Sequence, residues 1–294
     1  MNLIIKIKSN FRLIFQIVFT ALTNGYLLGY MNGKIYKGDS KKLCVPGLNC
    51  YSCPGAIASC PIGSLQAVLG SRDFKISFYI IGFLMIIGAF IGRFVCGWLC
   101  PFGLVQDLLY KIPGIKKIKK VPNDKYLRIL KYIILVVFVI ILPLSISNYS
   151  GDGKPWFCKL ICPSGTLLAG IPLISMNSSL RRIIGPLFAW KMLILISIIV
   201  LSIKIYRPFC KYICPLGAIY GLFNKYSIYR YEIDYNKCTK CNLCHKKCDM
   251  NVIVHETPNS VECIRCGKCI DVCPKNAITT TFSKSKGLNE KLNI

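Results

Sequence analysis

Two cysteine runs near the C-terminus carry the most specific chemistry in the chain: Cys238-x2-Cys241-x2-Cys244-x3-Cys248 and Cys263-x2-Cys266-x2-Cys269-x3-Cys273-Pro274. Closely spaced thiolates on a turning loop reach three corners of an iron-sulfur cubane, and in this spacing the fourth cysteine of each run serves the other cluster. The expected ligand sets are Cys238, Cys241, Cys244 and Cys273 for one 4Fe-4S cluster, and Cys263, Cys266, Cys269 and Cys248 for a second. Asp249 stands where a proline is expected after the first run, which loosens that turn but removes no thiolate. A zinc ribbon is the structural alternative, yet eight cysteines in two such runs exceed a single tetrahedral site.

A second cysteine pattern precedes these runs. Cys-Pro-x-Gly occurs at Cys60, Cys100, Cys162 and Cys214, and in three copies another cysteine stands four residues earlier, at Cys96, Cys158 and Cys210. The first copy has Ala56 at that place, with Cys44, Cys50 and Cys53 upstream. Cysteines four apart share a helical face, and the proline suits the first position of a new helix. The second cysteine then sits at a helix N-cap, where unpaired amides and the helix dipole favour a negatively charged thiolate-ligated cluster. Each Cys-x3-Cys supplies two ligands, so one cubane needs two motifs.

The elements that position these groups follow from hydropathy. The chain has 294 residues, 53% of them hydrophobic, with four apolar stretches at about 11–31, 76–95, 126–147 and 186–206. A membrane-crossing helix needs about 20 such residues. The expected fold is an α-helical bundle of four transmembrane helices over residues 1–227, then an α+β two-cluster ferredoxin-like domain over 228–282 and a polar tail over 283–294. The first stretch lacks a small-x-small cleavage site and reads as an uncleaved anchor. Eight Lys or Arg between Lys111 and Lys131 mark a cytoplasmic loop, which places both chain ends and the ferredoxin domain inside a multi-pass protein of the cell membrane. The 31–75 loop falls outside despite Lys34, Lys37, Lys41, Lys42, Arg72 and Lys75. The +26 formal charge is ascribed to loops flanking apolar spans, so a lipid surface is the expected partner rather than nucleic acid. The two histidines, His245 and His255, lie outside the apolar stretches, which argues against a membrane haem.

Topology then chooses ligand pairs. Cys96, Cys100, Cys210 and Cys214 fall on the cytoplasmic side and are expected to hold a third 4Fe-4S cluster. On the outer side Cys158 and Cys162 can join two of Cys44, Cys50, Cys53 and Cys60. Cys60 is the best extra ligand by the repeat, with Cys53 taken as the fourth; disulfides among the six, or four ligands and one disulfide, are the alternatives. Arg93, three residues before Cys96, either balances cluster charge or snorkels to the interface, and Lys191 reads as a snorkelling or lipid-facing lysine. Trp98, Trp156 and Trp190 are expected in an aromatic belt.

At Gly92-Arg93-Phe94-Val95-Cys96-Gly97-Trp98-Leu99-Cys100-Pro101-Phe102-Gly103, and again from Cys210 to Gly217, the chain resembles the NapH/MauN-type membrane ferredoxins. That resemblance implies four membrane helices, two cytoplasmic Cys-x3-Cys-Pro motifs, a C-terminal pair of 4Fe-4S clusters and a role in passing quinol electrons outward. The Cys44 to Cys60 segment and the Cys158/Cys162 pair depart from the family pattern. The expected function is an electron conduit in which reduced ferredoxin, flavodoxin or quinol donates and an extracytoplasmic redox acceptor receives. It is an electron-transfer component rather than a stand-alone catalyst. A redox sensor or maturation protein is the alternative. A hydrocarbon core of about 30 Å is expected to separate the inner and outer sites, unless helices opening at the four prolines dip inward or a bound quinone bridges the gap.

Overall fold

The computed structural model describes residues 2–70, 75–119, 121–145 and 154–282, with side chains from residue 11 onward except at 75–77. The expected polar tail at 283–294 and Arg72 of the 31–75 loop lie outside the described residues. The frame consists of α1 (Asn2–Thr23), α2 (Pro61–Leu69), α3 (Lys75–Ile91), α4 (Pro101–Tyr110), α5 (Asp124–Ser145), α6 (Pro163–Met176), α7 (Pro186–Lys204) and α8 (Pro215–Phe223).

Helices α2, α4, α6 and α8 start alike. Each opens with proline at N1, where the missing N–H has no carbonyl to meet and the ring presets φ. The preceding residue, driven to extended backbone by the proline, is Cys60, Cys100, Cys162 or Cys214. The Cys-Pro-x-Gly repeat is therefore one local device used four times: it stops the chain, turns it and points a thiol at the new helix's first turn.

Four crossing helices were expected, but among the described residues only α5 and α7, of 22 and 19 residues, are long and apolar enough. The other two stretches are each cut short, the second by the cysteine-bearing turn it feeds and the first at Asn24-Gly25. Helix α3 has 17 residues and ends at Gly92, whose φ of +49° breaks the helix before the short turn Phe94–Trp98 that carries Cys96. The first stretch stops at Asn24-Gly25, and a separate short helix, Leu27–Asn32, follows it. Helix α5 contains a π-helical stretch, Leu135–Ile141, just before Pro143, which has no N–H to continue the regular ladder.

Helix α2 packs on α3 and on the π-helical part of α5, α4 packs on α1 and α7, and α8 packs on α3 and α5. Large apolar side chains remain outward on α3 and α7, among them Phe78, Ile86, Leu193, Ile196 and Val200, an exposed apolar surface of the kind that marks a membrane or partner contact. The C-terminal unit is closed by antiparallel strands β1 (Tyr231–Ile233) and β2 (Ile278–Thr280), with Glu232 opposite Thr279. Both C-terminal cysteine runs lie between these strands, so pairing the ends of the unit brings the two runs together.

Candidate metal centres

Cys238, Cys241, Cys244 and Cys273 line one cavity, so the fourth cysteine of the second run crosses to the first. The reverse crossing is equally clear, since Cys248 and Cys263 both interact electrostatically with Cys266, and Cys269 with Cys248, Cys263 and Cys266. The two halves are pseudo-symmetric down to their amide donors. Val252 N donates to Cys248 Sγ at 3.4 Å and Ala277 N to Cys273 Sγ at 3.3 Å, each four residues beyond its cysteine. Burial pushes the Cys248 thiol up to about 11 and Cys263 up to about 12, so a bound cation is what would keep these ligands ionised near neutral pH. Asp249 does not leave its turn loose, because its carboxylate pairs with Lys268.

Cys96, Cys100, Cys210 and Cys214 are buried and form one group: Cys214 interacts with the other three, and Cys210 with Cys96. A residue that sequence reasoning missed holds this group. Gln106 Nε2 donates to Cys210 Sγ at 3.2 Å while its Oε1 accepts from Phe209 N at 3.2 Å. Two buried guanidiniums flank the group. Arg93 donates to Cys210 O at 3.0 Å and pairs with Glu262 at 2.9 Å; Arg207 donates to Cys96 O and pairs with Asp107 at 2.6 Å. Arg93 is fully buried, so it does not snorkel.

The same construction recurs at the group expected on the outer side. Gln66 Nε2 donates to Cys158 Sγ at 3.5 Å, and its Oε1 accepts from Phe157 N at 2.8 Å. Gln66 and Gln106 both stand six residues after the cysteine of a Cys-Pro-x-Gly motif, a sequence signal that was available. Lys191, expected to snorkel or face lipid, instead donates to Cys158 O at 3.2 Å, the counterpart of the Arg93 bond to Cys210 O. A cavity of about 470 Å³ is lined by Cys50, Cys60, Cys158, Cys162 and Lys191. Cys53, expected as the fourth outer thiol, is turned away: its Sγ lies 3.1 Å from Tyr30 Oη and 3.7 Å from Asn24 Oδ1. Cys44 is placed beside Ser64. None of the 18 cysteines is in a disulfide.

The expected gulf between inner and outer groups is not present. The segment before Cys50 folds back onto the Cys100 turn so closely that a Cβ on Gly47 would stand 3.1 Å from Cys100 Cα. Tyr220, whose hydroxyl donates to Pro46 O at 3.1 Å, interacts with Cys96, Cys100 and Cys60 alike.

The C-terminal unit is seated on the inner group. Asn224 accepts from Arg93 N at 2.9 Å and donates to Cys263 O at 2.7 Å, while Trp98 Nε1 donates to Arg265 O at 3.0 Å. A Cβ on Gly97 would stand 2.3 Å from Ile264 O, so only glycine lets these backbones meet. Trp98 thus serves this seam rather than a lipid belt. Trp190 donates to Leu160 O with its ring half-exposed.

Each set of four thiols, drawn from two separate loops, fits a 4Fe-4S cluster, which takes four thiolates. Comparison with known proteins agrees. Models of a 4Fe-4S binding domain match residues 76–120, 130–180 and 187–230, and a second such model matches 257–279. The chain is 31% identical to MJ0749 of Methanocaldococcus jannaschii, over 69% of this chain and 70% of that protein, and 31% identical to MJ0750 of the same organism, over 69% and 78%. It is 26% identical to the ferredoxin-type protein NapH of Escherichia coli, over 66% of this chain and 64% of that one. No solved structure matches. With the cysteine runs, the Cys-Pro-x-Gly turns and these relatives in agreement, the chain belongs to the ferredoxin-type 4Fe-4S proteins of the NapH/MauN family.

Proposed function

We propose that this protein is a membrane electron conduit, taking electrons from a cytoplasmic donor at its C-terminal unit and delivering them toward an extracytoplasmic acceptor. The observation that carries the reading is the seam at Asn224, which ties the backbone of Cys263 to Arg93 beside the inner thiols. Bound 4Fe-4S clusters supply reversible one-electron chemistry, at potentials set by net charge, burial and hydrogen bonds to sulfur. In this reading the two C-terminal sets and the Cys96, Cys100, Cys210, Cys214 set each hold one cluster.

The chain's own residues do the positioning. Glu262 sits between Arg93 and Lys131, and Asn224 and Trp98 clamp the loop from Ser260 to Arg265. These contacts hold the Cys263 set against the Cys96 turn. The other C-terminal set is the accessible one, since Cys241 is exposed and the exposed Lys237, Lys240 and Lys275 line the same cavity. A positive rim around an exposed ligand favours an acidic carrier such as ferredoxin or flavodoxin over a quinol as donor to this end. The basic loop from Lys111 to Lys131 supports a cytoplasmic position for that surface.

The test uses the full chain in sealed vesicles under anaerobic conditions, reduced through a membrane-impermeant donor offered only to the C-terminal face. The expected result is reduction of the C-terminal and membrane signals in electron paramagnetic resonance, followed by loss of electrons to an impermeant oxidant trapped on the other side. Reduction confined to the C-terminal signals would exclude the conduit.

A further inference from the structure

We infer that Cys50, Cys60, Cys158 and Cys162 form a separate 4Fe-4S site on the outer side, joined to the inner site through the segment from Gly47 to Asn49. The inference rests on the conduit reading for its role but stands on its own geometry. Three of its four thiols are pseudo-symmetry mates of inner ligands: Cys60 matches Cys100, Cys158 matches Cys210, and Cys162 matches Cys214. The match extends to the glutamine that donates to the third cysteine's sulfur, the phenylalanine amide that this glutamine accepts from, and the cation on the third cysteine's carbonyl.

The fourth thiol breaks the repeat. Ala56 occupies the place equivalent to Cys96, and Cys50 supplies the missing sulfur from an earlier turn. Cys50 Sγ lies 3.5 Å from where a Cβ on Gly165 would stand, and Cys50 interacts with Cys60, Cys158 and Cys162. Cys53, three residues on, donates toward Asn24 and contacts Tyr30 instead. Four thiols on one cavity, three of them from turns with inner counterparts, make a complete cubane donor set.

One short segment serves both sites. A Cβ on Gly47 would stand 3.1 Å from Cys100 Cα, while Leu48 and Asn49, next in the chain, line the outer cavity with Cys60. Consecutive Cα atoms are about 3.8 Å apart, so this segment brings the Cys100 and Cys60 turns close together rather than to opposite membrane faces. A direct path between the sites then needs no quinone.

The test is iron and sulfide analysis with electron paramagnetic resonance of the anaerobically purified full chain, comparing the parent with C50S, C53S and C96S. C50S should hold about four irons fewer than the parent, and C53S should match the parent. Loss in C53S with none in C50S would overturn the assignment, as would a parent count of only about twelve irons. Loss in C50S but none in C96S would leave the outer site standing and sink the inner site of the conduit reading. Should C50S fail to accumulate, K191M keeps every thiol and gives a second readout. It should lower the midpoint potential of one membrane signal while leaving the C-terminal signals in place, and unchanged potentials throughout would count against the site.

Discussion

Gln106 reaches Cys210 Sγ at 3.2 Å from a helix that begins at a different ligand, Cys100, so one side chain ties together the two motifs that make the inner site. A hydrogen bond to sulfur stabilises the more negative, reduced state of a cluster and raises its potential. Replacing Gln106 by Leu removes that donor and leaves Phe209 N–H without its acceptor. The midpoint potential of the inner signal should fall by roughly 65 to 130 mV, taking about 1.5–3 kcal/mol for a bond to a charged group and a one-electron couple. Potentiometric titration checks it; Gln66→Leu should move a different membrane signal, because Gln66 donates to Cys158.

The seam depends on a close backbone approach. Gly97→Ala places a methyl 2.3 Å from Ile264 O, and neither backbone can yield without parting the C-terminal unit from the inner turn. The C-terminal clusters should assemble normally in this variant. Stopped-flow reduction of the membrane signals should slow by tenfold or more, whereas an unchanged rate would show that the seam is not on the path.

Glu262 is buried between two cations. Burial works to raise its carboxyl, but Arg93 and then Lys131 overcome this and hold it below the usual carboxylate range. A depressed carboxyl contributes stability that is complete above its unfolded value, about 4.3, and is lost as pH falls through the lower folded value. Docking of the Ser260–Arg265 loop, followed by hydrogen exchange, should therefore be flat from pH 8 to about 5 and weaken below about 4. Glu262→Gln should bring that weakening to neutral pH, at a cost of about 3–5 kcal/mol for an uncompensated buried pair.

In the proposed conduit the exposed lysines around Cys241 guide the donor. Lys237→Glu combined with Lys240→Glu should reduce the second-order rate with an acidic ferredoxin by about tenfold at low salt, with little difference at high salt. Equal rates at low ionic strength would mean that donation occurs elsewhere.

Ligand spacing was legible because it is a local property. Three thiolates on one turn, a proline that must begin a helix and a lysine-rich loop declare themselves within a few residues, and both C-terminal sets and the inner set could be written down from them. The family was legible in the stretch from Gly92 to Gly103 for the same reason. Gln66 and Gln106 were visible at a constant offset, but nothing in the chain says what a polar residue on an apolar helix will meet.

Only the tertiary structure decided which sulfur completes the outer group and how near the two membrane groups lie. Cys50 and Cys53 are equivalent by spacing, and their difference comes from Tyr30 and Asn24, more than 20 residues earlier, which take the Cys53 thiol aside. Hydropathy likewise assigned the Cys44 to Cys60 segment to the far side, because it measures composition along the chain and not the depth to which a loop returns. Gly47, lacking a Cβ, lets that loop return as far as Cys100. The C-terminal cysteine runs declare a ferredoxin-like unit by spacing alone, whereas its seating on the inner thiols depends on Glu262, Asn224 and Gly97 meeting partners across long separations in the chain.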